Sequence, residues 1–137
     1  RFQHVFRIQG LYDASPFLAL EAALDYRAKI GEKNIRRRID DHGAYARRRM
    51  ETDAGCERLS PSLEMSAGLV AFRVPWPKGR EPLEAVLHRD YRITVAAHRI
   101  GPDAENVRLS PHIWNDEEEI DRLARILGRI KAKPGAG

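Results

Sequence analysis

Apolar residues recur along this chain in helical and extended rhythms, and after a weakly patterned start the breaks between rhythms divide it into seven elements. From Arg1 to Asp13 the side chains of Phe2, His4 and Phe6 alternate with Gln3, Val5 and Arg7, a weak strand-like pattern that ends at Gly10. Ser15 followed by Pro16 suits a helix start, a side-chain cap and then the imino acid whose missing N–H is harmless in the first turn. Phe17, Leu20, Ala23 and Leu24 follow at helical spacing, and Gly31 supplies the stop. A second helix is predicted from about Lys33 to Glu51, with Ile35, Ile39, Ala46 and Met50 on one stripe and arginines over much of the remainder. Gly43 inside it costs about 1 kcal/mol relative to alanine and points to close packing there.

Residues 52–67 read as a connection, broken by Gly55, Ser60, Pro61 and Ser62 and a little extended at Arg58-Leu59-Ser60. Gly68 to Val74 reads as a strand rich in β-formers, ended by Pro75-Trp76-Pro77. Pro82 opens a short helix through Leu83, Val86 and Leu87. Tyr91 to Ala97 reads as the next strand and, after the Gly101-Pro102-Asp103 turn, Asn106 to Ile113 as another. Asn115 or Asp116 then caps a final helix with Glu117, Glu118 and Glu119 in its first turn and Arg129 and Lys131 in its last, the charge order that suits the helix dipole. Its buried stripe is Ile120, Leu123, Leu127 and Ile130. The order predicts an α+β fold: a small, mainly antiparallel sheet of about three strands packed against helices, the last two strands forming a hairpin.

At 137 residues, 42% hydrophobic and 32% charged, the chain suits one ordinary core. It begins at Arg1 with no signal-peptide pattern, which suits a processed chain or a piece of something longer. No apolar run approaches the roughly 20 residues of a membrane span, so no membrane partner is expected. Cys56 is the only cysteine, which excludes an internal disulfide and a cysteine-rich metal site and suits a reducing, cytoplasmic setting. As a nucleophile Cys56 lacks an evident neighbouring base.

The net charge of +4 raises the question of a polyanionic partner. Two triplets, Arg36 to Arg38 and Arg47 to Arg49, lie eleven residues apart and so on nearly the same faces of one helix. Only Tyr45 is nearby to stack a base, and Asp40, Asp41, Glu51 and Asp53 dilute the patch, so a solvated helix face is the expectation over a nucleic-acid surface. The five histidines, His4, His42, His88, His98 and His112, never fall at metal-ligand spacing, and no metal site is expected. His98 and His112 fall near the ends of adjacent predicted strands, where a lone histidine is usually a structural hydrogen-bonding residue.

The stretch with the most chemistry is Val107 to Asp116. Strand alternation puts Val107 and Leu109 in one environment and Arg108 and Ser110 in another, so an arginine is held on a rigid element beside a hydroxyl and, after Pro111, a carboxamide at Asn115. A guanidinium matches a carboxylate or phosphate bidentately. By residue type alone Arg108 also suits a surface or interdomain ion pair. There is no Gly-rich phosphate loop, nucleophile elbow or paired-carboxylate pattern, so the reactive group would come from elsewhere.

The run VRLSPHIWNDEEEIDRLARIL, Val107 to Leu127, resembles the C-terminal signature of the class V aminotransferase family of pyridoxal-phosphate enzymes: Arg-x-Ser, then an aromatic-Asn pair and an acidic helix start, here Arg108, Ser110, Trp114 and Asn115, with tryptophan where tyrosine is usual. Gly10 to Gly31 resembles the family's segment linking its large and small domains, and Gly68 to Val74 and Tyr91 to Val95 fall where its small-domain strands would be. The resemblance implies an interdomain segment over 1–14 and a small domain over 15–137, without the large cofactor domain. It implies pyridoxal 5'-phosphate as cofactor of the intact enzyme, held mostly by that large domain and its Schiff-base lysine; none of Lys29, Lys33, Lys78, Lys131 or Lys133 sits in the matching motif. The partners implied are an amino-acid-type substrate, the large domain and a second copy in a homodimer, with no catalytic residue in this chain.

By the same resemblance Arg108 binds the substrate α-carboxylate, with Ser110 and Asn115 bracing its strand and turn. Gly10-Leu11 stands where the family often has Gly-Thr, whose threonine reaches the cofactor phosphate of the neighbouring subunit; Leu11 has no hydroxyl, which leaves a backbone contact or none. The loop Arg99 to Glu105 lacks the persulfide cysteine of cysteine desulfurases, which favours epimerase-like or C–S lyase-like branches. The competing expectations are a basic helical nucleic-acid-binding module and a catalytically dead relative serving dimerisation or regulation.

Overall fold

A computed structural model describes residues 15–62 and 64–131. The expected interdomain segment 1–14, with its strand-like start and with Gly10 and Leu11, lies outside the described residues, as does the chain end from Pro134. The chain divides into two compact units with the boundary between Ile35 and Arg36.

The first unit holds α1 (Ser15–Leu18) and α2 (Leu20–Ile30). Where one helix is expected, two segments flank Ala19, which keeps a right-handed helical backbone at φ −78°, ψ −11°. Gly31 ends α2 as predicted: its φ of 88° lies in the left-handed region, and its N–H donates to the Arg27 carbonyl at 2.9 Å. No residue of α1 or α2 is buried.

The boundary falls within α3 (Glu32–Thr52), and the second unit continues through β1 (Glu57–Arg58), β2 (Val70–Pro75), α4 (Leu83–Tyr91), β3 (Ala96–Arg99), β4 (Ala104–Leu109) and α5 (Glu117–Lys131). The strands form one antiparallel sheet in the order β1-β2-β4-β3. The α+β class, the antiparallel sheet and the β3–β4 hairpin agree with the pattern. The fourth strand, β1, is the short extended stretch in the 52–67 connection; pairing continues beyond it, with the Leu59 N–H on the Ala71 carbonyl and the Ala71 N–H on Ser60 Oγ, both at 2.8 Å.

The strand expected over Tyr91 to Ala97 is a correction. Helix α4 runs on to Tyr91, and Arg92 caps it in the left-handed conformation at φ 54°, ψ 41°, its N–H donating to the His88 carbonyl. That cap turns the chain, so the β-branched run Ile93-Thr94-Val95 only leads into β3, whose pairing starts at Ala96. The last strand begins earlier than expected, at Ala104, and ends at Leu109, ahead of the proline that cannot donate to a ladder.

Alternation on the two long strands builds the core. Val70, Phe72 and Val74 on β2, with Val107 and Leu109 on β4, are buried in one cluster with Met50 of α3, Leu83 and Leu87 of α4, and the α5 stripe Ile120, Leu123, Leu127 and Ile130. Two glycines let backbones approach. A Cβ on Gly68 would stand 2.0 Å from Ile39 Cγ2, and one on Gly128 in α5 would stand 2.9 Å from the Asp53 carbonyl oxygen just after α3. Gly43, where close packing was expected, lies against the Gly68 backbone. Asp121 further joins α5 to α3 by accepting from Tyr45 Oη and Arg49 Nε, each at 2.7 Å. The tyrosine hydroxyl first, and then Arg49, hold the Asp121 carboxyl below its ordinary value.

Glu105 is a buried carboxylate with two partners. It pairs with Arg99 at 2.8 Å and accepts the Leu83 N–H at 3.1 Å, so it caps the start of α4, where the helix dipole favours a negative charge.

Candidate functional site

Strand β4 sets the site. Val107 and Leu109 point into the core while Arg108 and Ser110 are exposed, so the alternation read from the sequence holds. Arg108 pairs directly opposite Ala71 of β2 on one side and Ala96 of β3 on the other. Directly opposed residues project to the same face, so the arginine stands between two methyl groups on a central strand. Beyond Ser110 the chain turns through Pro111 and His112. There Asn115 Oδ1 accepts the His112 N–H at 2.9 Å, the Asn115 N–H donates to the His112 carbonyl at 3.1 Å, and Asn115 Nδ2 donates to Glu119 Oε2 at 2.9 Å. One carboxamide thus closes the turn and ties it to the first turn of α5. Asp116 is the helix cap: its Oδ1 accepts the Glu119 N–H, and Glu119 Oε2 accepts the Asp116 N–H, a capping box.

Arg108, Ser110 and Asn115 line a single cavity of about 440 Å3, open to solvent and floored by apolar residues such as Ala46 and Ile120. That size is in the range of small-molecule sites. The cavity also contains residues that the pattern did not single out as site residues: Arg92, Thr94, Glu119 and Arg122. Arg92 was hidden by its expected place in a strand interior, and Arg122 by its place on an amphipathic helix whose polar face reads as solvated. Their signal would have been a helix ending at Tyr91, which turns Arg92 toward the start of α5.

Other candidates fall away from this cavity. His98 is exposed on β3, and His112 stacks on Trp114 with ring centroids 4.0 Å apart; neither lines it. Cys56 is buried, and burial pushes its thiol up, away from the thiolate that nucleophilic chemistry needs. Among the described residues no group of three metal-ligating side chains converges, and no helix is long and apolar enough to cross a membrane.

The arginine triplets do not make one solvated basic face. Arg47, expected on a solvated face, is 5% exposed and donates to the Ser62 carbonyl at 2.7 Å. It is a correction with a steric cause: position 47 follows Ala46 onto the side of α3 covered by the 60–62 loop. Arg36 pairs with Asp40, Arg49 with Asp53 and Asp121, and Arg48 lies over the Tyr45 ring.

As for the cofactor, no lysine lines the cavity that holds Arg108.

No known family profile matches the chain. Individual proteins do. Isopenicillin N epimerase of Amycolatopsis lactamdurans is 32% identical over 123 residues, and isopenicillin N epimerase of Streptomyces clavuligerus is 35% identical over 123 residues. Each match takes in 89% of this chain, but the chain spans only 31% of the length of either epimerase. The chain is thus similar to one part of these two epimerases, and the stretch they share covers most of it.

Proposed function

We propose that this chain forms the C-terminal, substrate-carboxylate-binding domain of a pyridoxal-phosphate-dependent enzyme of the class V aminotransferase type, acting on an amino acid or a derivative. The observation that carries the reading is Arg108, exposed on a central strand between two alanines and opening into a cavity, in a chain similar over 123 residues to isopenicillin N epimerases. In the intact homodimer the cofactor and its lysine belong to the large domain, and the cofactor supplies the electron sink for chemistry at the substrate Cα. This chain supplies orientation. The Arg108 guanidinium takes the α-carboxylate bidentately, and the turn locked by Asn115 fixes the end of the strand on which that guanidinium rides. Of the reaction branches, epimerisation is favoured over transamination and C–S lysis because both relatives are epimerases.

The reading is tested by joining this chain to a cofactor domain of the same family and following turnover of an amino-acid substrate. Arg108→Ala is expected to lower kcat/KM by roughly 10²-fold, chiefly through KM, as expected when an orienting contact is lost. Unchanged kinetics would remove the carboxylate role.

A nucleic-acid module on α3 is the weaker reading, because Arg47 is buried and Arg36 and Arg49 are paired with carboxylates. It requires salt-dependent binding by the chain alone, which a titration at low salt decides.

A further inference from the structure

One α-carboxylate needs one guanidinium, yet three line this cavity: Arg108, Arg92 and Arg122. Among the described residues none of the three is ion-paired. Carboxylate partners stand instead beside arginines such as Arg27, Arg36, Arg49, Arg58, Arg73, Arg89 and Arg99. Glu119, the carboxylate on the cavity lining, is engaged by Asn115 Nδ2 and the Asp116 N–H in the cap of α5. The cavity therefore carries more positive charge than its own walls neutralise.

Two of the three arginines meet through the backbone at the end of α4. Arg122 Nη2 donates to the Tyr91 carbonyl at 2.7 Å, so its head lies against the peptide that joins Tyr91 to Arg92. Arg108 arrives separately, from β4. The backbone at Arg92 adds an independent observation. Its φ of 54° is the left-handed conformation that glycine or asparagine adopts at a helix end with little strain, and here an arginine holds it. That conformation turns the chain out of α4 at the rim of the cavity that Arg92 lines.

We propose that Arg92 and Arg122 form a second anion subsite, which holds a carboxylate at the far end of the substrate from the α-carboxylate on Arg108. The substrate class is then an amino-acid derivative with a second carboxylate, and these two arginines determine its specificity. The proposal rests on the reading of Arg108 given above. The cavity, at about 440 Å3, has room for the atoms between two such groups.

The test is a titration of the full chain at low ionic strength, followed by NMR, with pentanoate as the monocarboxylate and adipate as the dicarboxylate. Adipate is expected to bind about fivefold more tightly, the gain of an added exposed charge pair. Arg92→Gly, which relaxes the backbone and keeps the fold, and Arg122→Gln should each reduce that excess while leaving pentanoate binding in place. Arg129→Gln, outside the cavity, should preserve the excess. Equal binding of the two acids, an excess that survives in Arg92→Gly and Arg122→Gln, or an excess lost equally in Arg129→Gln would each overturn the subsite. Pentanoate binding that persists in Arg108→Ala would instead overturn the reading of Arg108, and the dependence of the adipate excess on Arg92 and Arg122 would still decide the subsite.

Discussion

Helices α2 and α5 carry the same kind of signal in the sequence, an apolar stripe at helical spacing, and meet opposite fates. In α5 the stripe Ile120, Leu123, Leu127 and Ile130 is buried, with Ala124 and Ile126 beside it. In α2 Leu20 is 54% exposed and Leu24 56%. Periodicity therefore reports which backbone forms, while burial requires a second surface of matching shape. For α5 that surface is the inner face of β2 and β4, together with the end of α3 brought close by Gly128. Most helical stability in proteins comes from such packing rather than from propensity, so the two helices should differ sharply in what their side chains are worth.

The largest test of that difference is Leu127→Ala. It empties a fully buried position and is expected to cost roughly 3 kcal/mol, read as a fall in the midpoint of denaturant unfolding with unchanged slope. Gly128→Ala probes the same helix from its contact side. A methyl group there would meet the Asp53 carbonyl oxygen at 2.9 Å, so a loss of about 1.5 kcal/mol is expected even though alanine is the better helix former. A gain in stability would show that α5 can draw back from α3.

Asp121→Asn is expected to lower the melting temperature at neutral pH by less than either change in α5, by weakening the link to Tyr45 and Arg49. The sign with pH follows from the direction of the shift. The Asp121 carboxyl is held low in the folded chain, so its contribution is present above the ordinary carboxylate value near 3.9 and is lost as pH falls through the lower folded value. The Asn variant should lose that part of the acid sensitivity, as thermal melts between pH 7 and pH 2 would show. The smallest effect belongs to α2: Leu24→Ala should change stability by no more than about 0.5 kcal/mol, and a loss comparable to that of Leu127→Ala would erase the contrast between the two helices.

What could be read in advance follows the same division. The final helix, its cap, the β4 alternation and the turn at Gly101-Pro102-Asp103 are local, and the structure keeps them because tertiary packing asks for the same conformations. The Tyr91 to Val95 segment failed for the converse reason. Its β-branched residues favour extension, but a left-handed cap at Arg92 lets α4 run its full length, and a non-glycine cap leaves no mark in the sequence. The length of β1 depends on what β2 offers across the ladder, which no local pattern contains. Within the site, Arg108, Ser110 and Asn115 were legible because strand and turn place them. Arg92 and Arg122 join them only through the bond from Arg122 to the Tyr91 carbonyl, a contact thirty-one positions apart in the chain.

The two alanines that flank Arg108 across the sheet give the site a second means of adjustment. Because Ala71 and Ala96 share a face with the guanidinium, enlarging either to valine would press on the arginine's stem and swing its charged head without altering any charge. Sequence drift at two unremarkable aliphatic positions would then act as a tuning screw on substrate alignment, and a comparison of binding sites based only on their charged residues would overlook it.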